Sequence, residues 1–150
     1  MPKIEKITKQ TENPYVNLYL VEGKNKVDHL FRYYVASRAK TMEALKIKTK
    51  KNTPDGVLMY SLYGEKRDKI VLVRQYRVSI DDYIYEFPAG LVEPGEEFHE
   101  AAVREMHEET GLTFHPLKVD PCYEKPFFTT IGLTDEACSA AVSYTHLTLP

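Results

Sequence analysis

The sequence predicts an α/β or α+β protein, a mixed sheet carrying one substantial helix. Three observations lead there. Short apolar and aromatic runs bounded by polar turns fill the first half of the chain. A single helical pattern spans about Glu97 to Thr110, with turn and cap signals on either side. The 150 residues suffice for one domain with a real core and leave no room for a second.

The elements follow in order. Tyr15–Val21 and Leu30–Val35 read as strands joined by a polar turn at Gly23–Asn25. Lys40–Lys51 is dense in lysine with few interleaved aromatics, which marks a solvated loop or edge. Asn52-Thr-Pro-Asp-Gly56 is a strong turn signal. Beyond it, Val57–Tyr63 and Lys69–Val73 flank the Gly64–Asp68 turn and read as a hairpin with a buried centre. Ile84–Pro88 is a short strand running into a loop, and Val119–Tyr123 returns as a strand after the helix. The chain carries no internal repeat or low-complexity tract.

Bulk properties exclude several classes of function. A formal charge of −2 gives no general pull towards nucleic acid or an anionic membrane. No segment has the length of an apolar span. The N-terminus, Met1-Pro-Lys-Ile-Glu-Lys-Ile7, is charged where a signal peptide would be apolar, so a cytoplasmic compartment is expected. Cys122 and Cys138 lack zinc or disulfide spacing and read as small buried residues. His99 and His107 read as surface or packing residues of the helix.

The helix carries the chemistry. Glu105 and Glu109 are four apart, so they project from neighbouring turns about 40° apart around the axis. Glu108 flanks the same stripe. Like charges at this spacing repel in a bare helix, so a cation is expected to offset them. Hard oxygen ligands suit Mg²⁺ or Mn²⁺. A solvated acidic face is the bland alternative for three glutamates alone. Other residues weigh against it. Pro94-Gly95 turns the chain into the helix, Gly111 stands at the C-cap position, and Arg104 lies beside the acids. Ala102, Val103, Met106 and Thr110 form a less polar side that can pack on a sheet.

These residues resemble the Nudix box, Gly-x5-Glu-x7-Arg-Glu-U-x-Glu-Glu-x-Gly-U, with U a bulky apolar residue. Every fixed position matches, at Gly90, Glu96, Arg104, Glu105, Met106, Glu108, Glu109, Gly111 and Leu112. The resemblance implies a single Nudix domain over residues 1–150, an α/β/α sandwich around a mixed sheet with N-terminal antiparallel strands. It assigns about 1–50 to strands used in dimerisation and 51–142 to the catalytic core. The tyrosine-rich strands carry more apolar surface than a peripheral hairpin needs, which also points to a homodimer. Relatives of this kind usually continue past the acidic loop into further strand and a C-terminal helix. Residues 143–150 do not resemble that continuation, and a truncated C-terminal end is expected.

The resemblance runs from Val57 to Glu136 and is to the ADP-ribose and nucleotide-sugar pyrophosphatase branch. Its marks are Arg74-Gln-Tyr-Arg77 and Glu86-Phe-Pro-Ala89-Gly90, where triphosphate-hydrolysing branches more often carry Pro-Gly-Gly. It implies metal held by the Ala89 carbonyl, Glu105, Glu108 and Glu109, and substrate held by Arg77 and Glu86. Arg74 and Arg77 also make sense alone, because guanidinium forks bind pyrophosphate oxygens; strand-end surface charge is the alternative. Downstream, Thr130-Ile131-Gly132 stands where the branch often has Ser-Pro-Gly, a mark of ADP-ribose specificity. Glu136 is the implied catalytic base and Asp135 the fallback; Glu108 and Arg104 complete the catalytic set. The implied reaction is Mg²⁺-dependent hydrolysis of ADP-ribose or another nucleotide sugar to AMP and a sugar phosphate. A nucleotide-sensing module without catalysis and a nucleoside triphosphate pyrophosphohydrolase are the rivals, though sensors often lose box acids and this box keeps all of them.

Overall fold

The computed structural model describes residues 2–145, in two compact units. One comprises the chain up to Thr53 together with Phe128–Ala137; the other comprises Pro54–Phe127 and the chain from Cys138 onward.

The first unit is built on a three-stranded antiparallel sheet, β1 (Lys3–Lys9), β2 (Asn17–Lys24) and β3 (Leu30–Ser37), in that order. β2 buries alternate residues, Asn17, Tyr19, Val21 and Gly23, the period of a half-buried strand. Tyr19 is fully buried, and its hydroxyl donates to the Ala39 carbonyl at 2.8 Å. Gly23 is needed for packing. A side-chain carbon there would lie 2.3 Å from the Lys3 carbonyl oxygen. β1 was not foreseen, since Lys3-Ile-Glu-Lys-Ile-Thr-Lys9 is charged and mostly exposed. Within the lysine-rich stretch, one helical turn, α1 (Lys46–Thr49), follows the buried Leu45.

The second unit holds a mixed sheet. β4 (Gly56–Tyr63) pairs in parallel with β10 (Ala137–Thr145) in the register Cys138↔Gly56 through Thr145↔Tyr63. It pairs antiparallel with β5 (Lys69–Ile70) and β8 (Ala89–Leu91). β6 (Val73–Arg77) and β7 (Asp82–Glu86) form a separate two-stranded ribbon. The long helix, α2 (Phe98–Thr110), covers the sheet. Its Ala101, Ala102 and Met106 join Val57, Met59, Phe114 and Ala141 in one buried cluster. A second short strand, β9 (Phe127–Phe128), follows the chain segment after α2.

Several expectations need correction. Lys69–Val73 is not one strand: β5 covers only Lys69 and Ile70, the Val71 N–H still donates to the Ser61 carbonyl of β4 at 3.0 Å, and the chain then leaves to start β6 at Val73. Ile84–Pro88 is likewise divided, because β7 ends at Glu86 and the buried Pro88 precedes β8. Val119–Tyr123 is a turn in which Asp120 accepts the Cys122 N–H at 2.8 Å. Cys122 is therefore exposed, and Cys138, half-buried, lies on the face of β10 opposite Ala137, Ser139 and Ala141. Val103 is 39% exposed and Ala101 takes its expected place in the core. The expected departure at residues 143–150 is partly described: 143–145 extend β10, and the rest lie outside the described residues.

Candidate active site

The acidic helix is fixed at both ends. Glu97 caps its N-terminus by accepting the His99 N–H at 2.8 Å, and the Glu100 side chain reciprocates towards the Glu97 N–H. At the other end Gly111 adopts φ 72°, a conformation glycine takes without steric cost, and its N–H returns to the His107 carbonyl. Burial of Ala101, Ala102 and Met106 sets the rotation of the helix. The arc carrying Glu105 and Glu109 then faces the β8 segment, to which both make contact.

Glu105 lies directly over Gly90. A side-chain carbon at residue 90 would sit 1.9 Å from the Glu105 Cδ, so only glycine admits this carboxylate. Arg104 clamps the arrangement. Its Nη1 lies 2.8 Å from Glu105 Oε1, Nε and Nη2 grip Glu96 at 3.0 and 2.9 Å, and Nη2 also reaches the Leu91 carbonyl at 3.0 Å. Such multidentate, charge-assisted contact needs a guanidinium. Bonding to Arg104 holds the Glu96 carboxyl below its ordinary range, while Glu96 and Glu105 together raise Arg104 above its own. Glu108 is more exposed, 3.7 Å from Arg104 Nη1.

Glu109 accepts the Ala89 N–H at 3.3 Å. Although much of the side chain meets solvent, desolvation pushes its carboxyl above the ordinary value, and the charges of Glu105 and Glu86 add to the rise. Three carboxylates are thus close enough to repel. Glu86, at the end of β7, is ion-paired with Arg77 at 2.7 Å. Its buried Oε1 nevertheless has no aligned hydrogen-bond donor. The two arginines expected to act together are divided by strand geometry. Arg77 pairs across the ribbon with Asp82, and Arg74 with Tyr85. Three residues apart on one strand, they point to opposite faces. The Arg74 guanidinium lies over the Tyr83 ring, 4.2 Å from its centroid. The structure does not bring Arg74 to Arg77.

Glu136 and Asp135 belong to the other unit and are described within it. Arg38 Nε donates to Glu136 Oε1 at 2.9 Å. Asp135 Oδ2 accepts the Lys46 N–H at 3.3 Å, at the start of α1. Sequence reasoning missed Arg38. The acid and its partner lie nearly a hundred residues apart in a strand-end position without motif context.

The family model of the NUDIX domain matches residues 52–143, more than half of the chain and the segment holding the clamp, Gly90 and Gly111. The chain belongs to the Nudix family. Among similar proteins, the ADP-ribose pyrophosphatase of Saccharomyces cerevisiae is 36% identical over 80 residues, 52% of this chain and 35% of that one. The ADP-ribose pyrophosphatase of Bacillus subtilis is 44% identical over 61 residues, 40% of this chain and 33% of its own length. The matched segments span about a third of these relatives. A crystal structure of an ADP compounds hydrolase superposes on 95% of this chain and 66% of its own, with a TM-score of 0.69 at 20% identity. That match shows the shared Nudix fold.

Nudix hydrolases generally use divalent metal, and the residues here fit one. Among the described residues no three His, Cys, Asp or Glu side chains enclose an ion by themselves. An open set of carboxylates completed by water and phosphate oxygens is what Mg²⁺ ordinarily accepts. Glu109, whose carboxyl is raised by desolvation and by the charges of Glu105 and Glu86, sits where a cation would offset like charge. Glu105, Glu108 and Glu109 would hold it, with the Ala89 carbonyl.

Proposed function

We propose that the chain hydrolyses the pyrophosphate bond of a nucleoside diphosphate linked to a further moiety, most simply ADP-ribose, giving AMP and ribose 5-phosphate. The observation that carries this reading is the seating of Glu105 on Gly90 under the Arg104 clamp, with Glu109 turned to Ala89. This arrangement places hard anionic ligands on a rigid helix beside a strand end. The branch marks in Arg74–Arg77 and Glu86–Gly90, and the likeness to two ADP-ribose pyrophosphatases, support the substrate class. Bound Mg²⁺, or Mn²⁺ in its place, would neutralise charge at phosphorus and acidify a water.

The chain's own residues do the rest. Arg104 keeps Glu105 oriented. Arg77, backed by Glu86, presents a fork to a phosphate oxygen. Arg74, on the opposite face, is left to hold the ribbon through Tyr83. Glu136 accepts the proton from the attacking water. We further infer that residues 1–50 pair two chains into a homodimer that works in the cytoplasm. Exposed Leu18, Leu30 and Tyr34, on one face of β2 and β3, support that pairing. A panel of ADP-ribose, other nucleotide sugars and nucleoside triphosphates, incubated with Mg²⁺ and scored for AMP, sugar phosphate and inorganic pyrophosphate, tests the reading. AMP with sugar phosphate is expected. Inorganic pyrophosphate from triphosphates would replace the substrate class, and Mg²⁺-dependent binding without any product would make the chain a sensor.

A further inference from the structure

We propose that Arg38 is a positioning residue for Glu136, fixing one carboxylate oxygen so that the other is presented as the proton acceptor. This rests on the reading of Glu136 as the base. The Arg38 Nε–Glu136 Oε1 contact of 2.9 Å is a single lateral bond between side chains 40% and 31% exposed. Pairs so exposed contribute little to stability, so holding the fold together does not account for it.

The backbone predetermines the contact at both ends. The Ala36 N–H donates to the Leu133 carbonyl at 3.0 Å, and the Asp135 N–H donates to the Ala36 carbonyl at 3.4 Å. Ala36 and Thr134 form an isolated parallel bridge. The end of β3 is thereby locked to the loop that carries the acid. Within the loop, the Glu136 N–H donates to Thr134 Oγ1 at 3.1 Å, and the Glu136 carbonyl accepts the Thr129 N–H at 3.3 Å. Arg38 and Glu136 are thus aimed at each other by main-chain contacts.

Only Oε1 is engaged. Among the described residues Glu136 Oε2 has no protein donor, and the pair opens on a cavity of about 60 Å³, lined also by Val16, Ala36, Ser37 and Thr134, with room for water. A base held on one side by a third group and left free on the other is the arrangement that orients proton acceptors in general.

The test is a cycle of four proteins, wild type, Arg38→Gln, Glu136→Gln and the double variant, assayed with ADP-ribose and Mg²⁺. Arg38→Gln is expected to lower kcat about 10- to 100-fold with KM within about twofold, the scale of a slightly misplaced catalytic group. In the Glu136→Gln background the same change should cost nothing further. Arg38→Lys, which keeps the charge without the lateral Nε, should fall between wild type and Arg38→Gln. Equal losses in both backgrounds, or a rise in KM as the main effect, would place Arg38 on the substrate and overturn the proposal. Wild-type kcat in Glu136→Gln alone would instead remove the base reading, a distinct failure. A lowered melting temperature that accounts for the whole loss of activity would reduce Arg38 to a structural residue.

Discussion

Replacing Gly90 with alanine tests the centre of the site with one carbon atom. Its φ is ordinary, so the change carries no backbone strain, and the whole effect is contact. The new carbon would lie 1.9 Å from Glu105 Cδ and 2.3 Å from its Oε1. Normal contact between carbons begins near 3.5 Å, so the carboxylate must retreat by roughly 1.6 Å. It then leaves Arg104 Nη1, 2.8 Å away. A charge-assisted bond contributes about 1.5–3 kcal/mol when buried. With the two side chains 15% and 29% exposed, roughly 1 kcal/mol is reasonable here. Crowding adds about 1–2 kcal/mol, near the low end for overpacking because a flexible side chain yields. A combined loss of about 2–3 kcal/mol lowers the melting temperature by roughly 4–12 °C at this chain length. If Glu105 holds metal as proposed, displacing it by more than about 1 Å should cost at least about 100-fold in kcat. Thermal melts without metal and turnover with Mg²⁺ measure the two effects. The control is Gly90→Ala in a Glu105→Ala background, where the clash is gone and the stability cost should largely vanish. An unchanged cost there, or a single variant with wild-type melting and turnover, would refute the seating of Glu105 on Gly90.

Glu109→Gln should keep the fold and lose nearly all turnover, and near wild-type turnover with Mg²⁺ would discard its metal role. The same variant has a pH signature. A carboxyl raised in the folded state is bound to its proton more tightly than in the unfolded chain, so metal-free stability contributed by Glu109 falls as pH rises from the ordinary carboxylate range through the raised folded value. Subtracting Glu109→Gln from wild type in denaturant titrations without metal should therefore expose a decline with pH; a flat or rising difference counts against the burial argument. Glu136→Gln should lower kcat by roughly 10²–10⁴-fold at near-constant KM, and Asp135→Asn by much less. Reversed effects would make Asp135 the base, although it already serves the start of α1. Light scattering at micromolar concentration is expected to give a dimer, and a monomer from a chain extended past residue 150 would end the assembly proposal.

The box was legible because helix geometry converts fixed spacing directly into a face. Glu105, Glu109 and the cap at Gly111 needed only the 3.6-residue period, whereas the grip of Arg104 on Glu96 reaches off the helix to the preceding turn, where that period gives no guidance. The strands were less so. β10 buries Ala137, Ser139, Ala141 and Ser143 on one face, a clean alternation of small residues that carry almost no strand propensity. Its burial is decided by close packing under α2, which no local signal reports. β1 hid behind its lysines, and the break after Val71 came from the chain's change of partner from β4 to β7. The divided arginines had a signal available. Arg74 and Arg77 are an odd number of residues apart, and a strand reading already places them on opposite faces.

The parallel pairing of β4 with β10 joins residues at the start of the second unit to the last described strand. Parallel strands cannot close through a tight turn; here the whole box is the connection. During synthesis the glutamates therefore leave the ribosome before the strand that completes their platform. Met59 and Val57 must wait, with the apolar side of α2, for Ala141 to arrive. Such long-range closure is slow, and until it is made the apolar side of α2 lacks its completed sheet. Divalent cation captured early by that helix would then act during folding as well as after it, so Mg²⁺ in a refolding buffer should raise the yield of native protein.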